Sequence, residues 1–158
     1  VSNILLYVLI AIAVVFGLWH FNQKKQLGQE ALTAGQAFLA SNKNKEGVHT
    51  TESGLQYKIL HKGEGGPVPS ATSKVKVHYH GTLVNGKVFD SSVDRGQPIS
   101  FGLNQVIPGW TEGLQLMSVG DKYRLFIPAS LAYGSQSMGG IPANSTLIFD
   151  VELLGIEP

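Results

Sequence analysis

A chain of 158 residues has room for one compact domain and a short extra segment. Hydrophobic residues make up 43% and charged residues 15%, which supports a real core and argues against intrinsic disorder. The net charge of +1, with no basic run longer than Lys24-Lys25, argues against nucleic-acid binding, and the lack of cysteine excludes disulfides, thiolate metal sites and an acylated cysteine.

Residues 4–19 carry no charged or strongly polar side chain, and Phe21 extends the run. With Val1-Ser2-Asn3 in front, about 20 residues can lie in a bilayer, the length a spanning helix needs. Trp19 and His20 followed by Lys24-Lys25 have the order of an interfacial end: an aromatic at headgroup depth, then positive charge in water. Two other readings compete. A cleavable signal peptide needs a basic region before the apolar run, and a buried core helix needs a polar face; neither is written here. Residues 1–23 are read as a single-pass transmembrane anchor. Its lysines lie only on the C-terminal side, which favours a cytoplasmic main domain. Both orientations stay open on this count.

Residues 24–47 read as a linker helix. Leu27, Ala31, Ala34-Gly35 and Phe38-Leu39 recur on one face, and the polar stretch from Asn42 to Gly47 ends it. A solvated spacer and a dimer contact both fit this stretch.

Residues 48–158 form the main domain, and after Gly54 the period switches to two. Leu55, Tyr57 and Ile59 alternate with Gln56, Lys58 and Leu60. Val75, Val77 and Tyr79 alternate with lysines and histidines, a half-buried strand with a cationic outer face. Asn85-Gly86 between Leu83-Val84 and Val88-Phe89 is a hairpin signal. Tyr123, Leu125 and Ile127 predict a strand, as do Leu147, Phe149, Val151 and Leu153. One short helix is predicted from Pro108 to about Met117, with proline in its first turn and Leu114 and Met117 facing inward. The fold class is α+β, an antiparallel sheet wrapped around one short helix.

Four motifs carry the chemistry: Val77-His78-Tyr79-His80-Gly81, Val88-Phe89-Asp90-Ser91-Ser92, Gln105-Val106-Ile107-Pro108-Gly109-Trp110 and Leu131-Ala132-Tyr133-Gly134. They hold large apolar side chains with one carboxylate and two phenols, the make-up of a small-ligand pocket and not of a nucleophile with its base. His78-x-His80 lacks a third ligand and reads as a solvated strand face. Gly63-Glu64-Gly65-Gly66 lacks the lysine and helix of a phosphate cradle, and no nucleophile elbow is present.

At these motifs, over residues 51–158, the chain resembles the FKBP-type peptidyl-prolyl cis–trans isomerases, in their bacterial macrophage-infectivity-potentiator branch. The resemblance extends to the linker helix, which in those proteins continues back into a dimerisation domain; here a membrane segment stands in its place, in a bacterial inner membrane. It implies acceleration of X–Pro bond rotation in unfolded or partly folded proteins, with no cofactor, metal or covalent intermediate. Inhibition by macrolides of the tacrolimus and rapamycin type is implied too.

By the same resemblance Trp110 forms the pocket floor, and Tyr79, Phe89, Val106, Ile107 and Phe149 form its walls. The Tyr133 hydroxyl and the Ile107 backbone N–H meet substrate carbonyls. Asp90 stands at the rim, held by Tyr79 or Arg95, and biases the twisted amide without moving a proton; its bland alternative is a turn residue. Ile99 stands where many eukaryotic relatives have an aromatic wall, which implies weaker drug affinity. Residues 135–140 form a loop over the pocket, from which Ile141 or Met138 touches the ligand. A non-catalytic module that holds apolar peptides in the same pocket is the rival reading.

Overall fold

The structure is a computed structural model and describes residues 2–158; Val1, counted in the anchor above, lies outside the described residues. The first element is one unbroken helix, α1 (Ser2–Asn42). No helix break marks the boundary expected after residue 23, because Asn22-Gln23-Lys24-Lys25-Gln26 contains neither proline nor glycine. The helix ends at Asn42, and Gly47 takes the left-handed φ of +80° a few residues on. The length and composition of α1 are those of a helix able to cross a membrane, and its apolar stretch packs against nothing in the chain.

The sheet that follows comprises β1 (Val48–Thr50), β2 (Gln56–His61), β3 (Lys74–Leu83), β4 (Val88–Ser91), β5 (Ile99–Gly102), β6 (Lys122–Ile127) and β7 (Leu147–Glu157). Its order is β1-β2-β6-β7-β3-β4, with β5 also paired to β3, and every pairing is antiparallel. A single turn of helix, α2 (Ser92–Arg95), follows β4, and the longer α3 (Pro108–Leu114) packs against β6.

Local chemistry explains these elements. In β3 buried and exposed residues alternate as period two requires: Val75 and Val77 are fully buried, while Lys74 faces out and pairs with Glu157 at 3.5 Å. At the β3–β4 hairpin Gly86 has φ +89°, and its N–H donates to Leu83 O at 2.9 Å. Ser91 caps α2, accepting the Asp94 N–H at 3.0 Å, and Gly96 closes that turn at φ +70°. Pro108 sits in the first turn of α3, whose inner face buries Leu114 completely; Met117, just past the helix end, is fully buried too. Glycines let α3 lie close to β6, since a Cβ on Gly113 would come within 2.7 Å of Leu125 Cδ1.

The alternation expected in β2 holds at Leu55 and fails at two positions. Gln56 is buried because α1 covers it, donating to Leu39 O at 3.0 Å and accepting from Asn42 Nδ2 at 2.8 Å. Ile59 is exposed where β2 bulges against β6. The linker part of α1 is therefore not a solvated spacer: residues 28–42 dock on their own domain through Gly28, Gly35, Phe38 and Asn42, with Phe38 5.8 Å from the ring of Phe126.

Candidate functional site

Strand β3, hairpin strand β4, helix α3 and strand β7 bring their aromatic side chains to one place. Trp110, in the first turn of α3, meets three rings edge-to-face: Tyr79 at 5.3 Å, Phe101 at 5.6 Å and Phe149 at 5.2 Å. Phe89 stands on Phe149 in the same manner at 5.4 Å. This packing is possible because the residue between the strands is glycine; a Cβ on Gly81 would meet Phe89 Cζ at 2.7 Å and Phe149 Cε1 at 2.8 Å. Above Trp110 is a cavity of about 590 Å³.

Ten of the twelve residues singled out from sequence line that cavity: Tyr79, Phe89, Asp90, Val106, Ile107, Trp110, Tyr133, Met138, Ile141 and Phe149. Arg95 and Ile99 do not. Arg95 lies behind the wall, its guanidinium bonded to an Asp90 carboxylate oxygen through Nη1 and to the Tyr79 hydroxyl through Nη2 at 3.1 Å. Ile99 opens edge strand β5 and stays exposed there, outside the cavity wall. The aromatic wall it was expected to replace comes from Phe101, two residues on and on the same strand face. Phe101 and Gln105 line the cavity without having been singled out. Strand alternation from Ile99 was the available signal for Phe101.

The rim is a closed polar triad. Tyr79 Oη donates to Asp90 Oδ2 at 2.5 Å, while Arg95 serves both partners and sits 5.9 Å from the Tyr79 ring centre. Burial alone would raise the Asp90 pKa, but the hydrogen bonds from Tyr79 and Arg95 outweigh it and hold the carboxyl below its ordinary range. Burial first, and then the bond to Asp90, push the Tyr79 phenol up. At neutral pH the rim therefore presents a fixed carboxylate and a neutral phenol.

Below the rim, buried Ser92 locks β3 to α2: its Oγ accepts the Tyr79 N–H at 2.7 Å and lies 2.6 Å from His78 Nδ1. His80 Nδ1 pairs separately with Ser91 Oγ at 2.8 Å. Each histidine of the His78-x-His80 pair thus has its own serine partner.

Two backbone and side-chain donors remain open at the cavity. Among the described residues no acceptor takes the Ile107 N–H, while Ile107 O accepts from Trp110 and Thr111 at the start of α3. Trp110 Nε1 is buried with no hydrogen-bond partner among the described residues. The loop over the cavity is a small hairpin in which Met138 and Ile141 exchange backbone bonds at 2.9 and 2.8 Å. Ile141 is buried against the core, whereas Met138 is exposed at the lip.

Residues 66–154 match the family described as FKBP-type peptidyl-prolyl cis–trans isomerase, and residues 17–59 match the domain amino terminal to it. The chain belongs to the FKBP-type peptidyl-prolyl cis–trans isomerase family. It is 59% identical over 136 residues to an FKBP-type isomerase, FkpA, of Aeromonas hydrophila, which covers 86% of this chain and 47% of that protein. It is 48% identical over 138 residues to the outer membrane protein MIP of Legionella longbeachae, covering 87% of this chain and 58% of that one. The crystal structure of FkpA from Escherichia coli superposes with a TM-score of 0.88 at 41% identity, over 95% of this chain and 70% of the other. The chain thus spans about half the length of the Aeromonas relative. The match at residues 17–59 corrects one expectation: part of the family's amino-terminal domain is present and overlaps the apolar run.

Proposed function

We propose that the chain is a peptidyl-prolyl cis–trans isomerase acting on X–Pro bonds of unfolded or partly folded polypeptides. The supporting observation is the aromatic cavity over Trp110, closed at one rim by the Tyr79–Asp90–Arg95 triad and bordered by the open Ile107 N–H. The planar X–Pro amide has a rotational barrier of about 18–20 kcal/mol from its C–N double-bond character. Twisting removes that resonance, so the carbonyl carries less charge and loses less on leaving water. An apolar cavity therefore binds the twisted amide better than the planar one, and that difference lowers the barrier. Trp110 and Phe149 grip the proline ring. The Ile107 N–H and the Tyr133 hydroxyl hold flanking carbonyls, and the Asp90 carboxylate biases the amide dipole. No proton moves and no bond is made. Macrolides of the tacrolimus and rapamycin type would compete for the same cavity.

The apolar half of α1 supports a second part of the reading, a single-pass anchor in a bacterial inner membrane: its large side chains are exposed all round and Lys24-Lys25 follow at one end. A reporter fused after Pro158 reads which side the domain faces. The match to the family's amino-terminal domain supports, in addition, a dimer through the linker part of α1, residues 24–47.

The test is the isomerisation rate of a short X–Pro peptide with the full chain in detergent micelles, measured with and without tacrolimus. Acceleration that the drug suppresses is expected. No acceleration, with aggregation of an unfolded client still suppressed, would show a holding module in place of an enzyme.

A further inference from the structure

The apolar run and the isomerase domain share one helix, and that helix is fastened to the domain. Gly28 O accepts from Asn144 Nδ2 at 3.3 Å, and a Cβ on Gly28 would lie 3.3 Å from Ala143 Cβ. Two turns on, beyond Ala31 and Ala34, a Cβ on Gly35 would collide with Thr146 Oγ1. The buried Asn42–Gln56 pair ties down the far end. Between Phe21, the last apolar residue of the run, and Gly28 lie only residues 22–27, about 9 Å of helix. They contain no proline or glycine to act as a hinge.

The end of the domain nearest the run is also the end that carries the pocket loop. Leu27 and Ala31 face Leu83, Val84 and Asn85 at the tip of the β3–β4 hairpin, together with Pro142 and Thr146. Asn144 N donates to Gly134 O at 2.8 Å, next to Tyr133. The loop continues through Met138 to Gly140, where a Cβ would lie 3.6 Å from Lys87 Nζ on the same hairpin. Val88 and Met138 leave apolar surface exposed there. The apolar run itself has no polar face, and side chains around its whole circumference, from Ile4 to Phe21, are about half or more exposed. A two-helix seam would bury one stripe and leave the rest apolar surface in water, whereas lipid covers all of it.

We infer that α1 is a rigid stalk holding the loop side of the pocket within about 20 Å of a bilayer surface, so that its substrates are X–Pro bonds in segments lying just outside the membrane. This goes further than the isomerase and anchor readings and depends on both. A stiff, short connection gives a near-membrane proline a high effective concentration at the pocket and gives a distant one none.

The experiment places the full chain in nanodiscs of phosphatidylethanolamine and phosphatidylglycerol. The substrate is a lipid-linked peptide whose single X–Pro bond sits on a short or a long helical spacer, the long one reaching about 60 Å. Exchange NMR reads cis–trans rates, and an unlinked peptide serves as reference. The near proline is expected to exchange at least about tenfold faster than the distant one. A flexible Gly-Ser segment inserted between Asn22 and Gln23 should bring that ratio within about twofold, with the unlinked peptide turned over as before. Equal rates on both spacers in the unaltered chain, or an unchanged ratio after the insertion, would overturn the stalk. A chain that stays out of nanodiscs and sediments as a dimer overturns it through the anchor reading. Failure on the unlinked peptide overturns it through the isomerase reading.

Discussion

Gly81→Ala changes a residue that lines no part of the cavity, yet its effect should appear there. The added Cβ would lie 2.7 Å from Phe89 Cζ and 2.8 Å from Phe149 Cε1, with both rings already packed edge-to-face on each other. Ordinary carbon contacts need the rings to retreat by roughly 0.7–1 Å. Phe149 is backed by Trp110 at 5.2 Å and Tyr79 at 6.2 Å, so the free direction is into the cavity. Overpacking of this size costs about 1–3 kcal/mol, offset by roughly 0.5–1 kcal/mol from the smaller unfolded-state entropy of alanine. The net cost is up to about 2.5 kcal/mol, so the melting temperature should fall by up to about 10 °C. A misplacement of this order at a reacting group costs up to about 100-fold in rate, so kcat/KM on an X–Pro peptide should fall by about 10- to 100-fold. Gly155→Ala makes the same change in β7 with open space around it, and activity should stay put. If Gly81→Ala lowered the melting temperature as stated but kept kcat/KM within about twofold, the rings would not be the element that shapes the site.

Trp110→Leu removes the floor beneath three rings and should lower kcat/KM by more than about tenfold, while Asp90→Ala should have a smaller effect. Loss of all turnover in Asp90→Ala at unchanged peptide affinity would contradict a mechanism carried mainly by the apolar cavity. The pH–rate profile should be flat between about pH 5 and 9, because the Asp90 carboxyl is held low and the Tyr79 phenol high; a titration limb inside that range would mean proton transfer. Asp121 is fully buried and accepts from Gly63 N, Ser118 N and Lys62 Nζ at 2.8, 2.9 and 3.0 Å. Its pKa is depressed against the opposing pull of burial, so its stabilisation is complete above the ordinary aspartate value of about 3.9 and disappears as pH falls through the lower folded-state value. Asp121→Asn should therefore lower stability at pH 7 and flatten the acid limb of a stability-against-pH curve; an unchanged acid limb would count against this. Asn42→Ala leaves the buried Gln56 Oε1 without its donor and should cost about 1–3 kcal/mol, read as faster amide exchange across residues 28–42.

Much of the site was legible because its parts are local. Alternation put Tyr79 on the inner face of β3, Asn85-Gly86 specified the hairpin that presents Phe89 and Asp90, and Pro108 began the helix that carries Trp110. The strand misreadings have one common cause, a neighbour distant in sequence. Gln56 looked like a solvent-facing strand residue until α1 covered it. Ile99 and Phe101 share a strand face, and position along the edge of the sheet decided which one reached Trp110.

By itself the sequence determined the class of fold, the aromatic chemistry of the pocket and the apolar character of the first helix, since periodicity, turn residues and composition act over a few neighbours. Tertiary structure alone decided that Gly81 makes room for two rings and that Arg95 serves Asp90 from behind the wall. It also decided that the second half of α1 docks on its own domain. Those features depend on pairing β3 with β7 and on docking a helix across a sheet, contacts between residues tens of positions apart that no local pattern encodes.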